Sequence, residues 1–234
     1  MPTPSPAEGV RELARHQMRA AILDTARRHL ADSGAAGLSL RAVARDVGMV
    51  SSALYRYFES RDALLTALIV DAYDSLGQAV ETAEAAVPRG DLAGRWSAIA
   101  VTIRSWAKAD PHQYALVYGS PVPGYAAPED TIGPASRVTR VLAGLLVDVS
   151  DDADGEPFAV DDVVEHALAP ATSFIGHQVP TDLVVRGVMA WTHVFGAVSF
   201  ELFGHLHNVV ADDRADDFFD EQVRRLGELV GVGG

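Results

Sequence analysis

The chain has 234 residues, 48% of them hydrophobic, with no cysteine and with 32 acidic side chains against 19 basic ones. This length and hydrophobic fraction predict a folded protein with a sizeable core and argue against a disordered chain. The absence of cysteine excludes disulfides, thiolate zinc sites and cysteine nucleophiles, and it suits a reducing cytosol.

The formal net charge of −13 is unevenly distributed. Through Val70 there are nine arginines and seven acidic residues, whereas the remainder has ten basic and 25 acidic residues. A weakly positive N-terminal segment could therefore face DNA while the acidic remainder is repelled by it. The N-terminus shows no apolar signal sequence, and the uncharged stretch Gly187–Phe200 is shorter than the roughly 20 residues that cross a bilayer. We therefore expect a soluble cytoplasmic protein without a membrane contact.

Apolar residues recur at helical spacing along nearly the whole chain, which predicts an all-α fold. Ser39 and Ser60 are suitable N-caps for two of the helices. The helices expected in the N-terminal third are Leu13–Asp32, a helix from Leu40, a short helix carrying Leu54, Tyr57 and Phe58, and Arg61–Val87. Those expected in the remainder are Leu92–Ala109, His112–Tyr118, Thr131–Val149, Val160–Gly176 with an interruption near Pro170, Thr181–Leu206 and Arg214–Val230.

The segment Ser39–Phe58, SLRAVARDVGMVSSALYRYF, has the pattern of a helix-turn-helix. Gly48 provides a turn residue that tolerates a positive φ. Small side chains at Ser51, Ser52 and Ala53 allow the second helix to approach the floor of a DNA groove. The apolar inner face of the first helix consists of Leu40, Val43, Ala44 and Val47.

This segment resembles the DNA-binding domain of the tetracycline-repressor (TetR) family of bacterial regulators. The resemblance runs from Met18 to about Leu68, through SLRAVARDVG, ALYRYF and ESRDALLTAL, and this long ordered match makes it specific. It implies that Ser39, Tyr55 and Arg61 hold phosphates. The residues that it places at or near the bases are Arg41, Ser51, Ser52, Ala53, Arg56 and Tyr57.

The chain departs from the family pattern at Val50, where Ser or Thr is common. Loss of the capping hydroxyl predicts that the second helix begins one residue later, with Ser51 as its cap. The simpler alternative is that Ser39–Phe58 is only a pair of packed core helices. The continued match through Phe58, Arg61 and Leu65 disfavours that alternative.

The C-terminal half resembles the WHG-type C-terminal domain of a subset of these regulators, over about Val179–Leu229. The resemblance implies a helical ligand-sensing and dimerising domain over residues 65–234, after a DNA-binding domain over residues 1–64 with a flexible N-terminal arm. Apolar stripes on the last two helices favour a twofold homodimer over an ordinary monomeric core. The interface residues that we expect are Val188, Phe195, Leu202, Phe219, Val223 and Leu226.

Aromatic side chains with a few polar groups in this half suit a pocket for a small apolar or aromatic effector. For each of them taken singly, a place in the core is the simpler interpretation. The candidate lining residues are Trp96, Trp106, Tyr114, Tyr118, Phe174, His177, Trp191 and His193.

The sequence contains no motif that predicts an enzyme, a cofactor or a metal ion. The acidic loop Ser150–Pro157 fails the register of a calcium loop, and His205 and His207 point in different directions on a helix. A Gly-rich phosphate loop and a G-x-S-x-G nucleophile motif are both missing.

We therefore expect a homodimeric transcriptional regulator, and a repressor rather than an activator. It should bind a palindromic operator in duplex DNA and leave the operator when it binds a small effector. The competing hypothesis is a small-molecule-binding or metal-sensing helical protein whose helix-turn-helix serves another partner. Sequence-specific duplex binding that falls steeply with salt distinguishes the two.

Overall fold

The computed structural model describes residues 6–152, 158–176 and 178–232, and every regular element in these ranges is helical. The predicted all-α fold is confirmed. The α-helices are α1 (Pro6–Gly37), α2 (Leu40–Val47), α3 (Ser51–Leu54), α4 (Arg61–Ala85), α5 (Leu92–Ala109), α6 (Pro111–Tyr118), α7 (Ile132–Ala135), α8 (Arg137–Asp152), α9 (Asp162–Ala167), α10 (Ala169–Ile175), α11 (Thr181–Leu202) and α12 (Ala215–Val230). Short 3₁₀ turns occupy Glu129–Thr131 and Asp212–Arg214.

The chain divides into two compact units, and α4 is a continuous helix shared by both. The first unit contains the chain through Ala72 together with His112–Ile132, and the second contains Tyr73–Pro111 and the chain from Gly133 onward. The division within α4 therefore comes later than residue 64. The first unit also includes most of α6 and the loop after it, which the sequence pattern assigned to the second domain.

The first unit is built on the packing of α1, α2 and α3. Ile22, Val43 and Leu54, one from each helix, are fully buried. Ser60 caps α4 as predicted, because its hydroxyl accepts the N–H of Ala63 at 3.0 Å. Helix α1 begins at Pro6 rather than Leu13, so the part of the expected flexible arm that the structure describes is helical.

In the second unit, α5, α8, α11 and α12 pack against one another. The indole N–H of Trp96 in α5 donates to the carbonyl of Val223 in α12 at 2.7 Å. Helix α11 ends at Leu202, four residues before the predicted end, and Gly204 just beyond it has the left-handed φ of 76°. The segment around Pro170 is divided at Leu168 into α9 and α10, close to the predicted interruption.

Arginines tie the helices of the second unit together through buried or half-buried ion pairs. Arg95, whose side chain is 1% exposed, lies 2.6 Å from Glu84 and 2.7 Å from Asp148. Arg104 of α5 lies 2.6 Å from Glu201 of α11 and 2.6 Å from Asp216 of α12. A buried guanidinium is tolerated only when its charge is paired and hydrogen-bonded in this way.

Helices α4 and α11 are long and apolar enough to cross a membrane by length and composition alone. Core helices of water-soluble proteins pass the same test, so two such helices are weak evidence for a membrane span. Leu65 and Leu76 of α4 and Val184 and Val198 of α11 are fully buried within the chain, as expected of core helices.

Candidate nucleic-acid interface and apolar cavity

The turn of the helix-turn-helix is formed as the sequence predicts, around Gly48. This glycine ends α2 in the left-handed conformation, with φ of 79° and ψ of 27°. Its N–H donates to the carbonyl of Arg45 at 3.0 Å, and the N–H of Met49 donates to that of Ala44 at 2.8 Å. These two bonds satisfy the last carbonyls of α2 and direct the chain into α3.

The start of α3 differs from the prediction that Ser51 caps it. Val50 occupies the N-cap position with extended backbone (φ −71°, ψ 143°), and Ser51 is already the first helical residue. The side chain of Val50 is 70% exposed and supplies no capping hydrogen bond. The first N–H groups of the helix therefore have no side-chain cap. The helix nevertheless begins at Ser51, and the predicted shift of its start by one residue does not occur.

The predicted DNA-contacting residues lie on and around α3, and most of them face solvent. Buried Leu54 and Phe58 anchor this segment to the first unit, while Tyr55 between them is 48% exposed. The other exposed members of the set are Ser39, Arg41, Ser52 and Arg56. The half-buried members are Ser51, Ala53, Tyr57 and Arg61.

Arg61 has a different environment from the other predicted phosphate ligands. Its guanidinium donates to the carbonyl of Ala35 at 2.7 Å, and its Nε donates to the carbonyl of Leu38 at 3.2 Å. The side chain thus joins the end of α1 to the start of α4. These bonds lie within the first unit, whereas the resemblance implied a direct phosphate contact.

Two further features of this surface were not identified from the sequence. The guanidinium of Arg19 lies 4.8 Å from the ring centre of Phe58, and this places another cation beside the α3 segment. The imidazole of His29 and the carboxylate of Asp46 lie 2.7 Å apart and connect α1 with α2. This hydrogen bond, together with one from Arg45, lowers the pKa of Asp46.

An apolar cavity of about 310 Å³ lies among α8, α10 and α11 in the second unit. Four side chains of α8 line one wall, and Ala171 and Phe174 of α10 and Val188 and Trp191 of α11 line the others. The α8 wall consists of Thr139, Leu142, Ala143 and Leu146. None of the described lining residues carries a charged side chain, and the hydroxyl of Thr139 donates to the carbonyl of Ser136. The cavity is thus suited to an uncharged apolar or aromatic molecule.

Two of the eight predicted lining residues, Phe174 and Trp191, border this cavity. Trp96 is buried between α5 and α12, and the indole N–H of Trp106 donates to the hydroxyl of Ser75. His193 lies on the surface, 2.9 Å from the side-chain oxygen of Gln222.

The remaining three candidates are placed elsewhere. Tyr114 and Tyr118 belong to the first unit, where their ring centres lie 5.1 Å apart. His177 lies outside the described residues. The α8 wall was missed by the sequence reasoning, although its apolar spacing at positions 139, 142, 143 and 146 is the signal of a buried helix face.

The structure corrects four of the six expected dimer-interface residues. Phe195, Phe219, Val223 and Leu226 are buried inside their own chain, so a partner cannot bury them again. Val188 borders the cavity, and Leu202 is half-buried.

Some large apolar side chains of α11 and α12 remain exposed on the chain. They are Met189, Phe200, Trp191 and Phe218, with Phe203 just after the end of α11. Among the residues that the structure describes, no group of three or more histidine, aspartate or glutamate side chains is arranged to hold a metal ion.

Two family models match the chain. The model described as bacterial regulatory proteins, tetR family, matches residues 22–68, and the model described as tetracyclin repressor-like, C-terminal domain, matches residues 96–226. The second match confirms the resemblance of the C-terminal half and extends it through the middle of the chain.

Similar proteins and structures agree with these models. HTH-type transcriptional regulators of Mycobacterium tuberculosis and Mycobacterium bovis are 43% identical over 228 residues, covering 93% of this chain and 94% of each relative. The crystal structure of the regulatory protein SCO4313 is 32% identical with a TM-score of 0.75, and the match covers 96% of this chain and 98% of that one. A TetR-family structure from Shewanella sp. PV-4 shares the fold at 16% identity, with a TM-score of 0.60 and coverage of 92% and 96%. The chain therefore belongs to the TetR family of DNA-binding, helix-turn-helix transcriptional regulators.

Proposed function

We propose that this regulator is a cytoplasmic repressor, which binds a palindromic operator as a homodimer and is released when a small apolar or aromatic effector enters the cavity of the second unit. The observation that carries the proposal is the exposed set of arginine, serine and tyrosine side chains around α3. A small, solvent-facing recognition helix flanked by cations is suited to the major groove of duplex DNA.

In this proposal the residues around α3 divide the work of recognition. Ser39 and Tyr55 hold phosphates and fix the register of the protein on the duplex, while Arg41 lies at or near the bases. Ser52, with its neighbours Ser51 and Ala53, approaches the base edges, and Arg56 and Tyr57 lie beside them. Arg61 acts indirectly, by holding the end of α1 against the start of α4.

A twofold dimer is required because two recognition helices must enter successive major grooves about 34–36 Å apart. We place the interface on the outward face of α11 and α12. Met189 and Phe200 on α11 are 52% and 55% exposed and lie on the same side of that helix. Phe218 on α12 continues the apolar face, and the bond between His193 and Gln222 joins the two helices there.

The dimer is tested by the substitution Phe200→Glu, which places a charge on the proposed interface. Sedimentation velocity should then show a monomer at concentrations where the unaltered chain is dimeric. The matched control is Val209→Glu, since Val209 is 74% exposed and lies after α11. If both variants remained dimeric, the interface would be elsewhere.

Release by the effector follows from the continuity of α4 through both units. An effector that favours a different position of α4 changes the spacing of the two recognition helices and weakens operator binding. Thermodynamic reciprocity requires the operator to weaken effector binding by the same factor. Equal effector affinity for the free and the operator-bound protein would contradict this mechanism.

The DNA-binding part of the proposal is tested by selecting duplexes from a random pool at two salt concentrations. A palindromic site should be enriched at both, with an affinity that falls steeply as salt rises. Arg56→Ala should abolish the enrichment, whereas Arg214→Ala, which removes an exposed arginine of the second unit, should preserve it. Absence of any enriched sequence from a folded, dimeric sample would contradict the proposed repressor.

A further inference from the structure

Arg137, the first residue of α8, binds α4 through all three nitrogens of its guanidinium group. Its Nε and Nη2 donate to the two carboxylate oxygens of Glu81 at 2.9 and 2.6 Å. Its Nη1 donates to the side chain of Asp74 at 2.9 Å and to the backbone carbonyl of the same residue at 3.0 Å. The two hydrogen bonds from Arg137 to Glu81 lower the pKa of the Glu81 carboxyl group, which favours its charged form beside the arginine.

Gly77 lets the Arg137 side chain lie directly across α4. Asp74, Gly77 and Glu81 are at positions i, i+3 and i+7, so the glycine lies between the two carboxylates on one face of α4. A Cβ added to Gly77 would lie 2.6 Å from the Cβ and 2.8 Å from the Cδ of Arg137. Because the Cβ of Arg137 is fixed to the backbone of α8, any side chain at position 77 would separate the two helices.

The cavity lies on the opposite side of α8 from this contact. At about 100° of rotation per residue, the cavity-lining positions 139, 142, 143 and 146 centre about 180° away from Arg137. Asp148, near the far end of α8, lies on the Arg137 side and bonds to Arg95, which in turn bonds to Glu84 of α4. Helix α8 therefore faces the apolar cavity on one side and is bonded to the α4 segment on the other.

We propose that Arg137 is a positioning residue that couples occupancy of the cavity to the position of α4, and thereby to operator binding. The inference rests on the proposed function, because it concerns how the same cavity regulates the same DNA-binding unit. A molecule that fills the cavity presses on the apolar face of α8, and the rigid fork of Arg137 transfers that displacement to Asp74 and Glu81. A lysine would transfer less, since an ammonium cannot bridge both carboxylates in a fixed geometry.

The same helix offers a matched control. Arg140 lies one turn after Arg137 and carries the same charge, but its guanidinium bonds to the carbonyl of Gly133 at 2.8 Å and to the hydroxyl of Ser136. Gly133 belongs to α7 and Ser136 immediately precedes α8, so neither partner lies on α4. Arg140→Gln thus removes the same charge from the helix and leaves its bonds to α4 in place.

Occupancy can be imitated without an identified effector by filling the cavity from α10. Ala171→Phe introduces a ring into the cavity from the α10 wall, and Val188→Phe does so from α11 as a second, independent variant. Operator affinity is measured for each filling variant in the otherwise native chain and in the Arg137→Gln, Arg137→Lys and Arg140→Gln backgrounds. Circular dichroism and sedimentation verify that every variant is folded and dimeric.

We expect cavity filling to weaken operator binding about tenfold in the native chain and in Arg140→Gln, within the usual range of allosteric coupling. In Arg137→Gln the same filling should change affinity less than twofold, with Arg137→Lys between these values. The ratio of affinities within each background is the decisive quantity, since a merely structural loss at Arg137 would lower both affinities and leave the ratio unchanged.

Each contrary result has a separate meaning. A tenfold effect that persists in Arg137→Gln would overturn the role of Arg137 and leave the proposed function intact. No effect of filling in the native chain would overturn both the inference and the assignment of the cavity as the effector site. A native chain that selects no duplex would instead refute the proposed repressor itself.

Discussion

The guanidinium of Arg61 meets the carbonyl oxygens of Ala35 and Leu38 where α1 gives way to the turn before α2. Both carbonyls follow Gly34, where φ of 67° and ψ of 175° interrupt the helical conformation of α1, and the guanidinium supplies them with charge-assisted hydrogen bonds. The resemblance to the family places Arg61 on a phosphate, but in the structure its guanidinium is hydrogen-bonded within its own unit. We propose that its effect on DNA binding operates through the orientation of the helices.

We expect Arg61→Ala to lower the free energy of unfolding by about 1–2 kcal/mol, because charge-assisted hydrogen bonds to two carbonyls are lost. Binding to specific and non-specific duplexes should fall together, since the whole helix-turn-helix loses its support. Urea denaturation and DNA titration measure the two effects. Weakened DNA binding at unchanged stability would instead favour the direct phosphate contact.

Tyr55 presents the opposite case, as an exposed side chain whose hydroxyl is proposed to bind phosphate. Tyr55→Phe should weaken binding to all duplexes by about fivefold, corresponding to about 1 kcal/mol for one lost hydrogen bond. Stability should change by less than about 0.5 kcal/mol, as for most surface substitutions. Ser52→Ala is the informative comparison, because it should alter base preference. Altered base preference in Tyr55→Phe would mean that α3 is differently placed on the DNA.

At the scale of elements, α3 is the least self-sufficient helix of the first unit. It has four residues, Ser51–Leu54, and its N-cap Val50 supplies no hydroxyl. Its position depends on the burial of Leu54 and Phe58, which fix it from beneath. A helix of this length has little stability of its own, so local capping has a measurable effect.

We expect Val50→Thr to stabilise the protein by about 1 kcal/mol, because the hydroxyl can accept an N–H in the first turn of α3. The thermal midpoint should rise by about 2–4 °C in calorimetry. Val50→Ala is the matched control, since it shortens the exposed side chain without adding an acceptor. Equal midpoints for the threonine and alanine variants would show that the first turn of α3 gains nothing from a cap.

The helices themselves were largely predictable from apolar spacing, because burial imposes that spacing on each of them. The bounds of α2 and α5 agree with the sequence pattern, and Gly48 ends α2 as expected. The partner of each apolar stripe was not predictable. The stripe of Phe219, Val223 and Leu226 looked like a dimer surface, yet it packs inside the chain. Spacing shows that a face is buried, but only the tertiary arrangement shows whether the same chain or another covers it.

Likewise, the identities of the pocket residues could not be read from aromatic content. Trp96 and Trp191 are both large aromatics on helices, but one fills the core and the other borders the cavity. The Arg137 bonds to Asp74 and Glu81 join positions more than fifty residues apart, which no local pattern encodes. The long-range ion pairs of the second unit, unlike its local i,i+3 and i,i+4 pairs, were therefore not predictable from the sequence.

At the scale of the whole molecule, the acidic surplus of the second unit is organised around a few arginines. Burial raises the pKa of Glu201, but its hydrogen bonds and ion pairs with Arg104 and Lys108 lower that pKa by more. Asp216 is shifted in the same direction, mainly by its hydrogen bond to Arg104. A carboxyl group whose pKa is lower in the folded state stabilises the protein above its unfolded pKa of about 4, and this stabilisation is lost as the pH falls through the folded value.

Arg104→Gln should therefore destabilise the protein in a pH-dependent manner. At pH 7 we expect a loss of about 2 kcal/mol, less than for a fully isolated buried charge, because Lys108 remains 3.2 Å from Glu201. The loss should shrink as the pH falls below the unfolded pKa of about 4 and through the lowered folded pKa values of the two carboxyl groups, because a protonated carboxyl group no longer attracts Arg104. Chemical denaturation at pH 7 and pH 3 measures the difference, with Arg214→Gln as a control that removes an exposed arginine at the start of α12. A penalty that is equal at both pH values would assign the contribution of Arg104 to its packing on the ring of Phe219, 4.8 Å away.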